Sequence, residues 1–210
     1  MISILIKDSN SLFSHGLQVF LKELFKRDFS QKVSFVVDYT PENIAAADVI
    51  VLSLCRGERY TCSPELRSRK KGIIIGLINE EEAVGPSPSC FEDITYINRG
   101  SSLSEMAGKI GAVWKKWLAS AQFKQCFSCV SCSCRQMSSR QLQIMALYYK
   151  GLTVKQIAFK MGLNHKSVSA YKYQVMNKYN LRNDTELLAF LNVLANKNAS
   201  TMSFRHLLES

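Results

Sequence analysis

The stretch GLTVKQIAFKMGLNHKSVSAYKYQVMNKY, from Gly151 to Tyr179, decides the architecture of the C-terminal third. Thr153 can cap a helix in which Ile157, Ala158 and Met161 recur at helical spacing until Gly162 stops it. Gly162-Leu163-Asn164 then makes a three-residue turn into a longer helix with Val168, Tyr171, Val175 and Tyr179 inward. Two short helices joined by a tight glycine-containing turn form a helix-turn-helix. Upstream, Ser138 or Ser139 caps a helix carrying Leu142, Met145, Ala146 and Tyr149, and Gly151 ends it. Downstream, Leu187, Leu188, Phe190, Leu191 and Leu194 supply a fourth helix that closes the small core.

Charge is concentrated in the same region. Of a formal net charge of +10, residues 135–210 carry +8, with 11 Lys and Arg against 3 Asp and Glu. A positive segment of this size points to a polyanion, either nucleic acid or an anionic membrane surface. In a helix-turn-helix the second helix enters the major groove, and its outward residues meet bases and phosphates. Opposite Val168, Tyr171 and Val175 stand Lys166, Ser169, Ala170, Lys172 and Tyr173. Lys166 and Lys172 suit phosphates, whereas Ser169, Ala170 and Tyr173 suit base edges, where short polar and methyl groups carry readout. Lys155 and Gln156, at the start of the preceding helix, reach the DNA backbone. The competing reading of such a face is a merely solvated basic surface.

The first half of the 210 residues alternates short apolar runs with amphipathic helices, the pattern of an α/β domain around a parallel sheet. Residues 2–6, 33–37, 48–52, 73–78 and 94–97 read as five strands, and the third and fourth are apolar enough to be covered on both faces. Leu12, Phe13, Leu17, Phe20, Leu21 and Leu24 mark the inner face of a first helix, and Met106, Ile110, Val113, Trp114 and Trp117 that of a last one. The expected fold is therefore a five-stranded, flavodoxin-like doubly wound domain followed by an all-α four-helix domain.

Met137 to Gln141, Gly151 to Ala158, Ser167 to Lys172 and Lys178 to Leu181 together resemble the LuxR-type helix-turn-helix of NarL/FixJ response regulators. By this resemblance the recognition helix runs over Lys166–Tyr179, and the base-reading positions fall on Ser169, Ala170 and Tyr173. Gln141 stands where the family has an acidic residue, and Tyr171 where it has histidine. Leu12-Phe13-Ser14-His15-Gly16-Leu17 resembles the matching part of the family's receiver domain. The resulting division is a receiver-like domain over residues 1–120, a Cys/Ser-rich linker over 121–136, the helix-turn-helix domain over 137–198 and a tail over 199–210.

Receivers of this family take a phosphoryl group on an Asp ending the third strand, beside Mg²⁺ held by two acids after the first strand and near a Lys after the fifth. A hard cation needs several carboxylate oxygens, and the transferring phosphoryl needs its charge neutralised. Here the acceptor position is Ser53, the acidic pair reads Asp8-Ser9, and the Lys position is Arg99. The resemblance thus implies a degenerate, phosphorylation-independent receiver whose remaining task is protein contact. Val113 and Trp117 belong either to such a contact face or to the core.

Cys126, Cys129, Cys132 and Cys134 crowd into nine residues. Four thiolates can bind zinc, but Cys132-Ser133-Cys134 is tight for a tetrahedral site and no distant second pair completes it, so a reduced linker without metal or other cofactor is expected. The odd total of seven cysteines, and an N-terminus that meets Lys7 and Asp8 too early for a signal peptide, point to a cytoplasmic protein without a membrane partner. No Ser/His/Asp or Cys/His set assembles from adjacent elements, which argues against an enzyme.

The function these features imply is a dimeric bacterial transcription regulator that binds promoter DNA. Relatives of this architecture with altered receivers include regulators of fimbrial genes. The alternative is an interaction protein that modulates a related regulator by heterodimerisation, with DNA binding secondary.

Overall fold

The continuous apolar runs become a parallel sheet. In the computed structural model, which describes residues 1–79, 88–120, 135–197 and 204–209, the strands are β1 (Ile2–Lys7), β2 (Val33–Val36), β3 (Val49–Ser53), β4 (Ile73–Ile78) and β5 (Ile94–Asn98). Their order is β2-β1-β3-β4-β5, every pair parallel, with Ile4 beside both Phe35 and Val49 and with Val51 beside Ile75. All six residues of β4 are buried, as a central strand covered on both faces requires.

One face packs on α1 (Ser11–Phe29) and α3 (Leu103–Ser120). The Asn10 side chain caps α1 by accepting from the Phe13 N–H, and Lys26 and Arg27 sit in its last turn, where the helix dipole favours cations. Leu17, Leu21, Leu24 and Phe25 of α1 meet Met106, Ile110 and Trp114 of α3, with the Phe25 and Trp114 rings edge-on at 5.3 Å. Trp117 stacks on Trp114 at 4.8 Å and, with Val113, packs partly buried against this core. Leu12 departs from its expected inward position: it lies in the first turn of α1 and is exposed.

On the other face the alternation of strand and helix breaks down. The short α2 (Pro41–Ala46) buries Ile44, but β3 and β4 are joined by two 3₁₀ helices, Glu58–Tyr60 and Pro64–Ser68, in place of an α-helix. The connecting segment carries Gly57 and Pro64 and no apolar stripe at helical spacing, so nothing there can pay for the entropy of a long helix. Leu66 and Phe91 are nonetheless buried, and the 3₁₀ helix that carries Leu66 packs against α2.

The chain divides into two compact units. Residues Cys55–Ser63 cluster not with the sheet but with the C-terminal helices, a grouping absent from the expected division along the sequence. Those helices are α4 (Ser139–Tyr149), α5 (Val154–Met161), α6 (His165–Lys178), α7 (Asp184–Asn196) and α8 (Phe204–Glu209). Their core contains Ile144, Ile157, Val168, Val175, Tyr179, Leu187 and Phe190. Phe204 docks α8 on this core, its ring edge-on to Tyr149 at 5.9 Å.

Candidate nucleic-acid interface

Local chemistry fixes the helix-turn-helix. Thr153 and Gln156 form a capping box at the start of α5, the Gln156 Oε1 accepting from the Thr153 N–H at 2.8 Å. Gly162 ends α5 in the left-handed region at φ +62°, and the Leu163 N–H donates to the Ala158 carbonyl at 2.9 Å. Asn164 then caps α6 by accepting from the Lys166 N–H at 2.8 Å. The same box recurs at α4, where Ser138 caps and Gln141 closes the reciprocal bond. An amide serves there as well as a carboxylate, which explains how Gln141 replaces the acid without loss of the helix start.

Val168, Val175, Met176 and Tyr179 point α6 inward. Lys166, Ala170 and Tyr173, at positions i, i+4 and i+7, form an exposed stripe, and Ser169 lies half-buried beside it. Tyr173 is 60% exposed, unusually open for so large a ring. Lys155 and Gln156 are exposed on the first turns of α5. The structure thus presents six of the seven expected residues on the outer surfaces of α5 and α6.

Lys172 behaves differently. Its side chain is only 13% exposed, and its Nζ donates to both carboxylate oxygens of Asp184, at 2.7 and 2.9 Å. The Tyr148 ring lies 5.3 Å away. Hydrogen bonding from Lys172 holds the Asp184 carboxyl below the usual carboxylate range, while burial pushes the Tyr148 phenol up. The expected phosphate ligand is turned toward α7. Asp184 gave no local signal in the sequence, because the pair spans twelve residues and joins two helices.

In the sheet unit, the receiver-like cluster is self-contained. The Asp8 side chain, 1% exposed, accepts the Asn10 N–H at 2.7 Å, a short hydrogen bond from the Ser53 hydroxyl, and a 3.2 Å ion pair from Arg99. The Arg99 guanidinium lies over the Phe13 ring at 3.9 Å. A magnesium ion does not fit this set: one carboxylate remains, its oxygens are already engaged, and a fixed cation occupies its vicinity. Among the described residues no three His, Cys, Asp or Glu side chains gather as metal ligands. Cys126, Cys129, Cys132 and Cys134 lie outside the described residues, as does most of the expected linker. No described helix is long and apolar enough to cross a membrane.

Residues 135–191 match the family model of bacterial regulatory proteins, luxR family. Along 92% of the chain and 96% of the relative, the sequence is 22% identical to the Fimbriae W protein of Salmonella typhimurium. It is 39% identical to the response regulator UvrY of Escherichia coli over 69 residues, 32% of this chain and 31% of that one. Among solved structures, a chain from the structure of two RcsB dimers bound to two parallel DNAs superposes with a TM-score of 0.51 at 19% identity, covering 91% of this chain and 98% of that one, a likeness of fold. Residues 135–191 thus match the luxR family of bacterial regulatory proteins, and the chain, which places this segment after a five-stranded parallel sheet, is similar to the Fimbriae W protein along most of its length and to the response regulator UvrY over 69 residues.

Proposed function

We propose that this protein is a sequence-specific transcription regulator that places α6 in the major groove of promoter DNA and acts without phosphorylation. The observation that carries the reading is the exposed α6 stripe of Lys166, Ala170 and Tyr173, with Ser169 beside it, in a luxR-family domain whose region holds most of the net positive charge. Ser169, Ala170 and Tyr173 read base edges, while Lys155, Gln156 and Lys166 hold phosphates. Lys172 contributes from behind, by tying α6 to α7 through Asp184. Phosphorylation independence is supported by the missing acceptor carboxylate at Ser53 and by the engagement of Asp8 with Ser53 and Arg99. A single small domain makes few base contacts, so a dimer on two half-sites supplies the specificity a promoter needs, and RcsB has been solved as dimers on DNA. The relative with fimbriae in its name makes fimbrial genes the first targets to examine.

The test is capture of fragmented genomic DNA from the host by the full-length protein and by its Tyr173→Ala variant, at near-physiological salt. Enrichment of a few promoters that the variant loses is the expected result. Uniform weak capture, unchanged in the variant, overturns it and moves the function to protein contact.

A further inference from the structure

Cys55–Ser63 is built into the helical unit at every level of packing. Tyr60 is 1% exposed within the helical core, and the Arg135 guanidinium covers its ring at 3.7 Å. The Arg135 N–H donates to the Tyr60 carbonyl at 2.9 Å, and the Tyr179 hydroxyl donates to the Arg135 carbonyl at 2.7 Å. Gly57 adopts φ +87°, and a Cβ there would lie 3.0 Å from Leu181, 3.1 Å from Phe190 and 3.2 Å from Tyr179. Only glycine meets both the left-handed backbone and this close approach without strain.

Two ion pairs add polar specificity. Lys197, at the end of α7, reaches Glu58 at 3.4 Å with both side chains 6% exposed, and its Nζ donates to Thr61 at 2.8 Å and Ser63 at 3.2 Å. Arg56 pairs with Glu186 of α7 at 3.2 Å. An ammonium removed from water to this degree is tolerable only with such partners, so Lys197 and the segment depend on each other.

We propose that Cys55–Ser63 is a structural strap of the helix-turn-helix unit, required to hold α6 and α7 in DNA-binding geometry. The C-terminal helices are then not a self-sufficient module: their binding competence is tied to a segment that begins two residues after Ser53 in the chain. The functional part of this inference rests on α6 being the DNA-reading element, but the strap itself can be read without DNA.

The experiment is hydrogen exchange on full-length protein carrying Tyr60→Ala or Gly57→Val, with a random-sequence duplex as a second readout. Exchange in α6 and α7 is expected to rise by about a hundredfold while β1, β3 and β4 stay protected, and duplex affinity to fall with it. Changes confined to residues 55–63 would overturn the strap. Protection lost from α6 and α7 with duplex binding intact would leave the strap standing as a packing element and overturn its link to DNA binding. If Tyr60→Ala unfolds the sheet as well, Glu58→Gln, Lys197→Met and the double variant decide: non-additive effects on α7 protection support the strap, and additive ones overturn it.

Discussion

Lys172 and Asp184 are joined at 2.7 and 2.9 Å through both carboxylate oxygens, so the cation nearest the middle of α6 faces its own domain. The pair is partly open to water, with Asp184 54% exposed, which keeps its worth near the ~0.2–1 kcal/mol of a surface bridge. It links the middle of α6 to the first residue of α7.

That role separates cleanly from a phosphate contact. Lys172→Ala and Asp184→Asn should weaken DNA binding to similar degrees, with little change in the salt dependence. A phosphate ligand would instead lower the salt slope by about one on loss of the lysine alone. The sign of the pH effect is also fixed. Asp184 is held below its ordinary value, so the anchor is fully present above the unfolded carboxyl's pKa near 4 and is lost as pH falls through the lower folded value. Thermal unfolding of wild type and Asp184→Asn should therefore converge in acid.

At the receiver-like site, Ser53 donates to a carboxylate whose side chain is almost wholly buried. Ser53→Ala removes one of three partners of Asp8 and is expected to cost about 1.5–3 kcal/mol, measured by denaturant unfolding. Incubation of wild type with a small phosphodonor should add no phosphoryl mass by intact-mass analysis. A labile phosphate would reopen the conventional switch.

The strands and the helix-turn-helix were legible because their signals are local. Apolar runs such as Ile73 to Ile78 have no alternative but burial, and the Thr153–Gln156 and Gly162–Asn164 signatures each sit within one turn of chain. Where the reading departed from the structure, the cause was nonlocal. Residues 55–63 look like a polar loop, and only their packing on Tyr179, Leu181 and Phe190, more than a hundred residues away, makes Gly57 and Tyr60 core positions. Lys172 likewise read as one more outward cation until Asp184 came into range.

Cys55 offers a chemical probe of the same region. Burial, then the charge of Glu58, pushes its thiol from about 9 up to about 12. The native protein keeps the proton where the unfolded chain has lost it, so this site's contribution is intact below the unfolded value and stability declines as pH climbs above it. Melting curves of wild type and Cys55→Ala should accordingly draw together as pH rises from about 9 toward about 12. Iodoacetamide at pH 8 should modify Cys55 far more slowly than a model thiol.

Base readout makes the final demand. Tyr173 is exposed and Ser169 half-buried, one helical turn apart on α6. Replacing either with Ala should cost about 1–3 kcal/mol on a captured promoter site and little on a random duplex of equal length. Lys166→Ala should weaken both duplexes alike and reduce the salt slope by about one, because a phosphate ligand acts regardless of sequence. Titrations of the three variants on the two duplexes across a salt series distinguish the roles. Equal losses on both duplexes for all three would strip α6 of specific readout and leave a basic surface that holds DNA by charge alone.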